Sequence, residues 1–99
     1  MPQNQRPQEI PIKANDEDLK GRYANALSIS HNESEFYLDF MLLLPPAGQV
    51  VSRIITNPGH MKRILAALEE NLKIYEKNFG KIEVAKGPQG EGEIGFKTN

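Results

Sequence analysis

The sequence contains no cysteine and no tryptophan, and its charges nearly balance, with 12 Lys and Arg against 13 Asp and Glu. Without cysteine the chain has no disulfide, no thiolate metal site and no Cys nucleophile, which fits a reducing cytoplasm. No segment approaches the ~18 apolar residues of a membrane span, and the first twenty residues lack the apolar stretch of a secretory signal. The net charge of -1 provides no overall basic excess for sequence-independent nucleic-acid binding.

The 99 residues are enough for one domain, and 38% hydrophobic with 25% charged residues is ordinary for a globular protein. Residues 1–20 are rich in Pro, Gln, Asn and charge and are predicted to form a flexible N-terminal tail. Residues 21–82 hold the periodic segments of a single α+β domain. Residues 83–99 are rich in Gly and Glu and are predicted to form a flexible C-terminal tail.

Three strands are predicted, at Arg22–Ser30, Glu35–Leu44 and Gln49–Thr56, from apolar alternation bounded by turn residues. The short connections HNES and PPAG favour an antiparallel meander. Matching the apolar faces suggests a register with Ile29 opposite Phe36 and Leu44 opposite Val50.

A long helix is predicted after the third strand. Asn57 is a good N-cap, Pro58 suits the first helical position, and Gly80 marks the end. Between them one apolar stripe follows helical spacing: Met61, Ile64, Leu65, Leu68, Leu72, Tyr75 and Phe79. About 22 residues make a rod of roughly 33 Å. We expect it to pack on the sheet face that carries Phe36, Leu38 and Phe40.

The other sheet face then has no second layer within the chain, although a buried face needs one. Self-association around a two-fold axis is the commonest solution. We therefore expect a homodimer, with an interface formed by Tyr37, Met41, Leu43, Val51 and Ile55. The alternative is a monomer whose own tails cover this face.

Candidate chemical sites are few, and neither a catalytic residue, a cofactor nor a metal is predicted. The acidic segment 15–18 lacks the ligand spacing and Gly turn of a calcium loop. Asp39 is better explained as a partner of Arg53 across the hairpin than as a general acid. A helix N-terminus can receive an anion, so a weak anion or nucleic-acid site is considered at Asn57, His60, Lys62 and Arg63.

Several spaced blocks resemble one family: Tyr23-Ala24-Asn25, Glu35-Phe36-Tyr37-Leu38-Asp39-Phe40, Asn57-Pro58-Gly59-His60-Met61-Lys62-Arg63-Ile64-Leu65, Asn71, Tyr75-Glu76 and Phe79-Gly80. Over roughly residues 20–82 the chain resembles the small bacterial domain-of-unknown-function family numbered 3467. The family brings no established activity and no catalytic residues. Some members are encoded beside the genes of the large RNA polymerase subunits, so the resemblance implies an accessory role in transcription.

The leading hypothesis is a non-enzymatic, homodimeric interaction module in the cytoplasm, acting as an accessory factor of a larger complex such as RNA polymerase. The first alternative is a nucleic-acid or anion binder that uses the helix N-terminus with Lys62 and Arg63. The second is a chaperone-like protein whose apolar sheet face receives extended peptides.

Overall fold

A computed structural model describes residues 8–86. Within this part of the chain the elements follow in the order α1, Asp16–Lys20; β1, Ala26–His31; β2, Phe36–Leu44; β3, Ala47–Thr56; and α2, Pro58–Phe79. The strands form an antiparallel sheet in the order β1-β2-β3, with β2 in the centre. The predicted α+β meander followed by one long helix is confirmed.

The register of the first hairpin differs from the predicted one by two residues, and that of the second differs by two residues along most of β2 and by three at its turn end. Ile29 lies opposite Leu38, where we expected Phe36, and Leu44 lies opposite Ala47, where we expected Val50. A shift of two residues leaves every side chain on its predicted face because the period of a strand is two. Apolar alternation therefore predicted the faces of β1 and β2 but not the pairing of individual residues.

A β-bulge in β3 changes the faces locally. Phe40 pairs with Ser52 and Met41 pairs with Val50, so Val51 has no residue opposite it. The extra residue at a bulge reverses the alternation beyond it. Val50 therefore joins the face of Met41, whereas the sequence reading had placed Val51 there.

The two faces of the sheet differ in composition. We call one the Phe40 face; it carries Leu27, Ile29, Phe36, Leu38, Phe40, Leu42, Leu44 and Ile54. We call the other the Tyr37 face; it carries Tyr37, Asp39, Met41, Leu43, Val50, Arg53 and Ile55.

Helix α2 begins and ends where its capping residues predict. The Asn57 side-chain oxygen accepts the His60 backbone N–H at 2.7 Å, and Pro58 is the first helical residue. At the other end Gly80 has a φ of 99° and donates its N–H to the Glu76 carbonyl at 2.9 Å. A φ in this range is costly for residues with a Cβ, which explains glycine at this position.

The expected packing of α2 on the sheet is not made along most of the helix. Met61 and Ile64, in the first turns, are half-buried. The rest of the apolar stripe is exposed by 49% to 74%: Leu65, Leu68, Leu72, Tyr75 and Phe79. We call these five residues the α2 stripe. Only Asn57, in an extended conformation, separates the end of β3 from the start of α2, and the helix leaves the sheet after its first turns.

As a result the described chain has almost no interior of its own. Within residues 8–86, Leu38, 6% exposed, is the sole buried hydrophobic side chain. A folded domain of this size normally buries about 60% of the surface of its unfolded chain. The amphipathic patterns of sheet and helix are therefore present, but one copy of the chain does not bring their apolar sides together.

The terminal segments are only partly described. Asp16–Lys20 form a single helical turn inside the stretch predicted as a tail, and Asn15 donates a side-chain hydrogen bond to Asp18 at 3.3 Å. After α2, the Ile82 N–H donates to the Glu76 carboxylate at 2.9 Å. Residues 81–86 form no helix or strand. Most of the predicted C-terminal tail, residues 87–99, and the first seven residues lie outside the described residues.

Candidate functional site

The Phe40 face is the more apolar side of the sheet. It is half-covered at its centre, where Phe36, Phe40 and Leu42 are half-buried. Around them four side chains are 43% to 58% exposed: Leu27, Ile29, Leu44 and Ile54. Large contiguous apolar patches on soluble proteins commonly mark interaction sites. This face is therefore a candidate interaction surface.

The α2 stripe is the second apolar surface. Its members recur every three or four residues, so they lie along one side of the helix. The rings of Tyr75 and Phe79 contact each other with centroids 5.0 Å apart, at the end far from the sheet connection. An isolated helix gains little stability from propensity alone and depends on packing of its apolar side. The stripe therefore requires a surface to cover it.

The Tyr37 face carries a polar cluster at its centre. Asp39 and Arg53 lie directly opposite each other on β2 and β3, which confirms their predicted pairing. Arg53 Nε donates to Asp39 Oδ1 at 2.6 Å and Nη2 donates to Oδ2 at 2.8 Å, a bidentate geometry. These hydrogen bonds lower the pKa of the Asp39 carboxyl, and they raise the pKa of Arg53. The Asp39 side chain is 16% exposed.

Tyr37 extends this cluster toward the β1–β2 turn. The Arg53 guanidinium carbon lies 5.4 Å from the centre of the Tyr37 ring, within cation–π range. The Tyr37 hydroxyl donates to Glu35 Oε1 at 2.7 Å and accepts from Asn32 Nδ2 at 3.1 Å. The hydrogen bond to Glu35 is the main reason that the pKa of Tyr37 is raised. An ion pair and a tyrosine are thus held in fixed positions on one exposed surface.

The turn itself is built by Asn32. Its Oδ1 accepts the backbone N–H groups of Ser34 and Glu35 at 2.8 and 2.9 Å, as Asn side chains do in tight turns. His31, predicted to lie in this turn, is the last residue of β1, and its ring is 5.1 Å from that of Phe36. A structural role therefore accounts for both residues.

The predicted interface residues are only partly brought together. Tyr37, Met41, Leu43 and Ile55 share the Tyr37 face as expected, whereas Val51 lies in the bulge. The Val51 carbonyl accepts a hydrogen bond from Arg22 Nη1 at 2.9 Å. An interface on the Tyr37 face stays a prediction. In the structure Val50 occupies the position on this face that the prediction gave to Val51.

Asn25 has a structural role that the sequence reading missed. Its side chain donates to the Leu43 carbonyl at 3.0 Å and accepts the Leu43 N–H at 2.8 Å. Its own N–H donates to the Met41 carbonyl at 2.9 Å. The amide thus continues the pairing of β1 with β2 by imitating a backbone peptide group. An amide between apolar residues at the start of a strand was the available signal.

The predicted anion site at the start of α2 is exposed, and one of its backbone N–H donors already has a hydrogen-bond partner. Asn57 already accepts the His60 N–H, which uses one of the free donors at the helix N-terminus. Lys62 and Arg63 are exposed on the next residues of the helix. Use of Asn57, His60, Lys62 and Arg63 for anion or nucleic-acid binding stays a prediction.

A hollow of 360 Å³ lies between α1 and the bulge, with Glu17, Arg22, Phe40 and Val51 among its lining residues. No group of three or more His, Asp or Glu side chains able to hold a metal ion occurs in the described part of the chain.

None of the helices within residues 8–86 is long and apolar enough to cross a membrane.

Fold and surfaces together define an open three-stranded sheet with one long C-terminal helix, in which the prominent features are apolar surfaces and one polar cluster. A family model described as "Protein of unknown function (DUF3467)" matches residues 1–84, so the chain belongs to this family. The match extends beyond the 20–82 blocks recognised in the sequence and includes the N-terminal segment. No curated protein and no solved structure matches the chain in the corresponding comparisons.

Proposed function

We propose that this protein is a non-enzymatic, homodimeric protein-interaction module. The observation that carries the proposal is the burial of Leu38 alone among the hydrophobic side chains of residues 8–86. Conformational entropy opposes folding by roughly 1–2 kcal/mol per ordered residue, and burial of apolar surface must offset it. We therefore assign the interior missing from one chain to contacts with another chain.

A second copy is the partner best supported for this interior. Outside the described residues the sequence contains only Met1, Ile94 and Phe96 as large apolar side chains. They are too few to cover both the Phe40 face and the α2 stripe. Closed two-fold dimers are the commonest soluble assemblies, and each chain in such a dimer supplies what the other lacks.

From the sequence we expected the homodimer interface on the Tyr37 face. Because the missing interior calls for the Phe40 face and the α2 stripe, we now assign the Tyr37 face to a different protein partner. Tyrosine and arginine are enriched among residues that dominate binding energy at interfaces. Here Tyr37 and Arg53 are held in place by hydrogen bonds to Glu35 and Asp39, and Ile55 beside them is exposed. The partner suggested by the family resemblance is a component of the transcription machinery in the cytoplasm, with RNA polymerase as the specific candidate.

Sedimentation equilibrium of the full chain over a wide concentration range tests the dimer. We expect twice the monomer mass, and an unfolding midpoint that falls on dilution because folding and association are linked. A folded monomer with a concentration-independent midpoint would remove the homodimer.

Affinity purification of the tagged full chain from native lysate, read by mass spectrometry, tests the second partner. We expect RNA polymerase subunits to be retained by the parent chain and lost with Arg53→Ala, a change on the Tyr37 face. Lys73→Ala removes an exposed positive charge of α2 that belongs neither to the Tyr37 face nor to the predicted anion site, and this control should retain them. Equal recovery of polymerase with parent and Arg53→Ala, or none with either, would contradict the assignment.

A further inference from the structure

We infer that in the homodimer the α2 stripe of each copy packs on the Phe40 face of the other copy. This inference rests on the proposed homodimer and specifies how its interior is built. Each chain carries one apolar helix side and one apolar sheet face, both exposed. An exchange of helices around a two-fold axis covers the α2 stripe and the Phe40 face of both copies.

The dimensions of the two surfaces match. The outer strands of a three-stranded sheet lie roughly 10 Å apart, which is close to the ~10 Å diameter of one helix. From Leu65 to Phe79 the helix is about 21 Å long at ~1.5 Å per residue. The nine residues of β2 extend about 27 Å at ~3.4 Å per residue. One α2 stripe is therefore as wide as one Phe40 face and covers about three quarters of its length.

The exposed area is that of a stable dimer. Nine large apolar side chains on the two surfaces are each about half exposed. Half of the 150–250 Å² that a large aromatic side chain buries is roughly 100 Å², which sets an upper limit of about 900 Å² per protomer for the nine. Interfaces of standard size bury about 800 Å² on each partner. At this limit the area on these two surfaces is sufficient without the Tyr37 face.

The connection between sheet and helix explains why the exchange occurs between copies. Asn57 alone links β3 to α2, and its extended backbone and capping hydrogen bond set the direction in which the helix leaves. Short connections of this kind favour exchange of an element between protomers. The alternative, pairing of one α2 stripe with another, would leave Leu27, Ile29 and Ile54 uncovered.

Cross-linking between two differently tagged copies tests the arrangement. Because the sequence contains no cysteine, each introduced cysteine is the single thiol of its copy. Leu68→Cys in the α2 stripe is combined with Ile54→Cys on the Phe40 face, each in a separate copy. The copies are unfolded, mixed, refolded together and treated with a short bismaleimide. We expect a cross-linked heterodimer. The matched control replaces Ile54→Cys with Ile55→Cys, which is on the opposite face and similarly exposed, and should give little product.

Each other outcome has a definite meaning. A product with Ile55→Cys in place of Ile54→Cys would assign the helix to the Tyr37 face and overturn the inference. Leu68→Cys copies that link only to each other would show helix–helix pairing and overturn it as well. Absence of any product from a dimer of correct mass would also overturn the inference while the homodimer stands. A monomeric parent chain would remove both proposals.

Isotope-filtered NMR of the parent sequence tests the same contacts without any substitution that could impair folding. In a dimer of one isotope-labelled and one unlabelled copy, filtered NMR spectra report contacts between chains alone. We expect contacts between the methyl groups of Leu68 or Leu72 and that of Ile54. Contacts from these leucines to Met41 or Ile55, with none to Ile54, would contradict the exchange.

Discussion

Truncation of Leu72 to alanine is the most direct thermodynamic test of an interior shared between chains. Leu72 is 52% exposed within one copy and lies in the middle of the α2 stripe. In an isolated chain, substitution of an exposed side chain changes stability by only about 0.5 kcal/mol or less. Alanine also has the highest helix propensity, so the helix itself is not weakened. Any large effect must therefore come from association.

The magnitude follows from the exposed half of the side chain. Full burial of a leucine contributes about 1.5–3 kcal/mol, so burial of the remaining half contributes about 1 kcal/mol. A two-fold dimer contains the residue twice, which gives about 2 kcal/mol for Leu72→Ala. Since each 1.4 kcal/mol is a factor of ten, the dimer dissociation constant should rise about 30-fold.

Ile74 provides the matched control. It is 51% exposed and similar in volume to Leu72, but two residues along a helix place it on nearly the opposite side. Ile74→Ala should change the dissociation constant by no more than about fivefold, the equivalent of ~0.5 kcal/mol in each of the two copies. Sedimentation equilibrium of the parent and both variants measures the difference. Equal effects of the two substitutions would refute the assignment of the stripe to the interface.

Three further predictions concern side chains that organise the chain. The lowered pKa of Asp39 means that its pairing with Arg53 stabilises the fold above the ordinary carboxyl pKa of ~3.9, and that this stability is lost as pH falls through the lowered value. Unfolding measured from about pH 6 to 2 should show a smaller acid-dependent loss for Asp39→Asn than for the parent, and identical slopes would contradict this. Asn57→Ala should cost about 1 kcal/mol of unfolding free energy and Asn57→Asp much less, because aspartate also accepts the N-cap hydrogen bond; equal losses in chemical denaturation would argue against the cap. Asn25→Ala should lower the unfolding free energy by about 1–2 kcal/mol, because two hydrogen bonds to Leu43 are lost. Hydrogen exchange of the Leu43 amide should become faster, and an unchanged exchange rate would contradict this role of Asn25.

Local signals in the sequence were sufficient to predict the three strands, α2 and most of the faces, but not the single turn of α1. Asn57, Pro58 and Gly80 located the ends of α2 because capping depends on residues next to the helix. The pairing of Asp39 with Arg53 followed from their common face on adjacent strands. In both cases the relevant chemistry lies within a few residues or across one hairpin.

The register and the bulge were not predictable from the same signals. Two registers that differ by two residues bury the same faces, so apolar alternation does not separate them. The actual pairing depends on details such as the Asn25 side chain, which bonds to Leu43. The bulge at Val51 lies in the segment Gln49–Ile55, where Val50, Val51, Ile54 and Ile55 are all apolar, and such a segment does not reveal an inserted residue.

Amphipathic periodicity indicates that one side of a helix or strand is buried. It does not indicate whether the same chain or another chain covers that side. The sequence pattern predicted that the α2 stripe covers the Phe40 face, and it assumed that both belong to one copy. The exposed state of Leu68 and Ile54 removes that assumption without removing the complementarity. If the two surfaces meet between copies, the stability of the fold becomes inseparable from protein concentration. The Tyr37 face, with Arg53 fixed by Asp39, would then lie on the outer side of each sheet, where a larger partner can reach it.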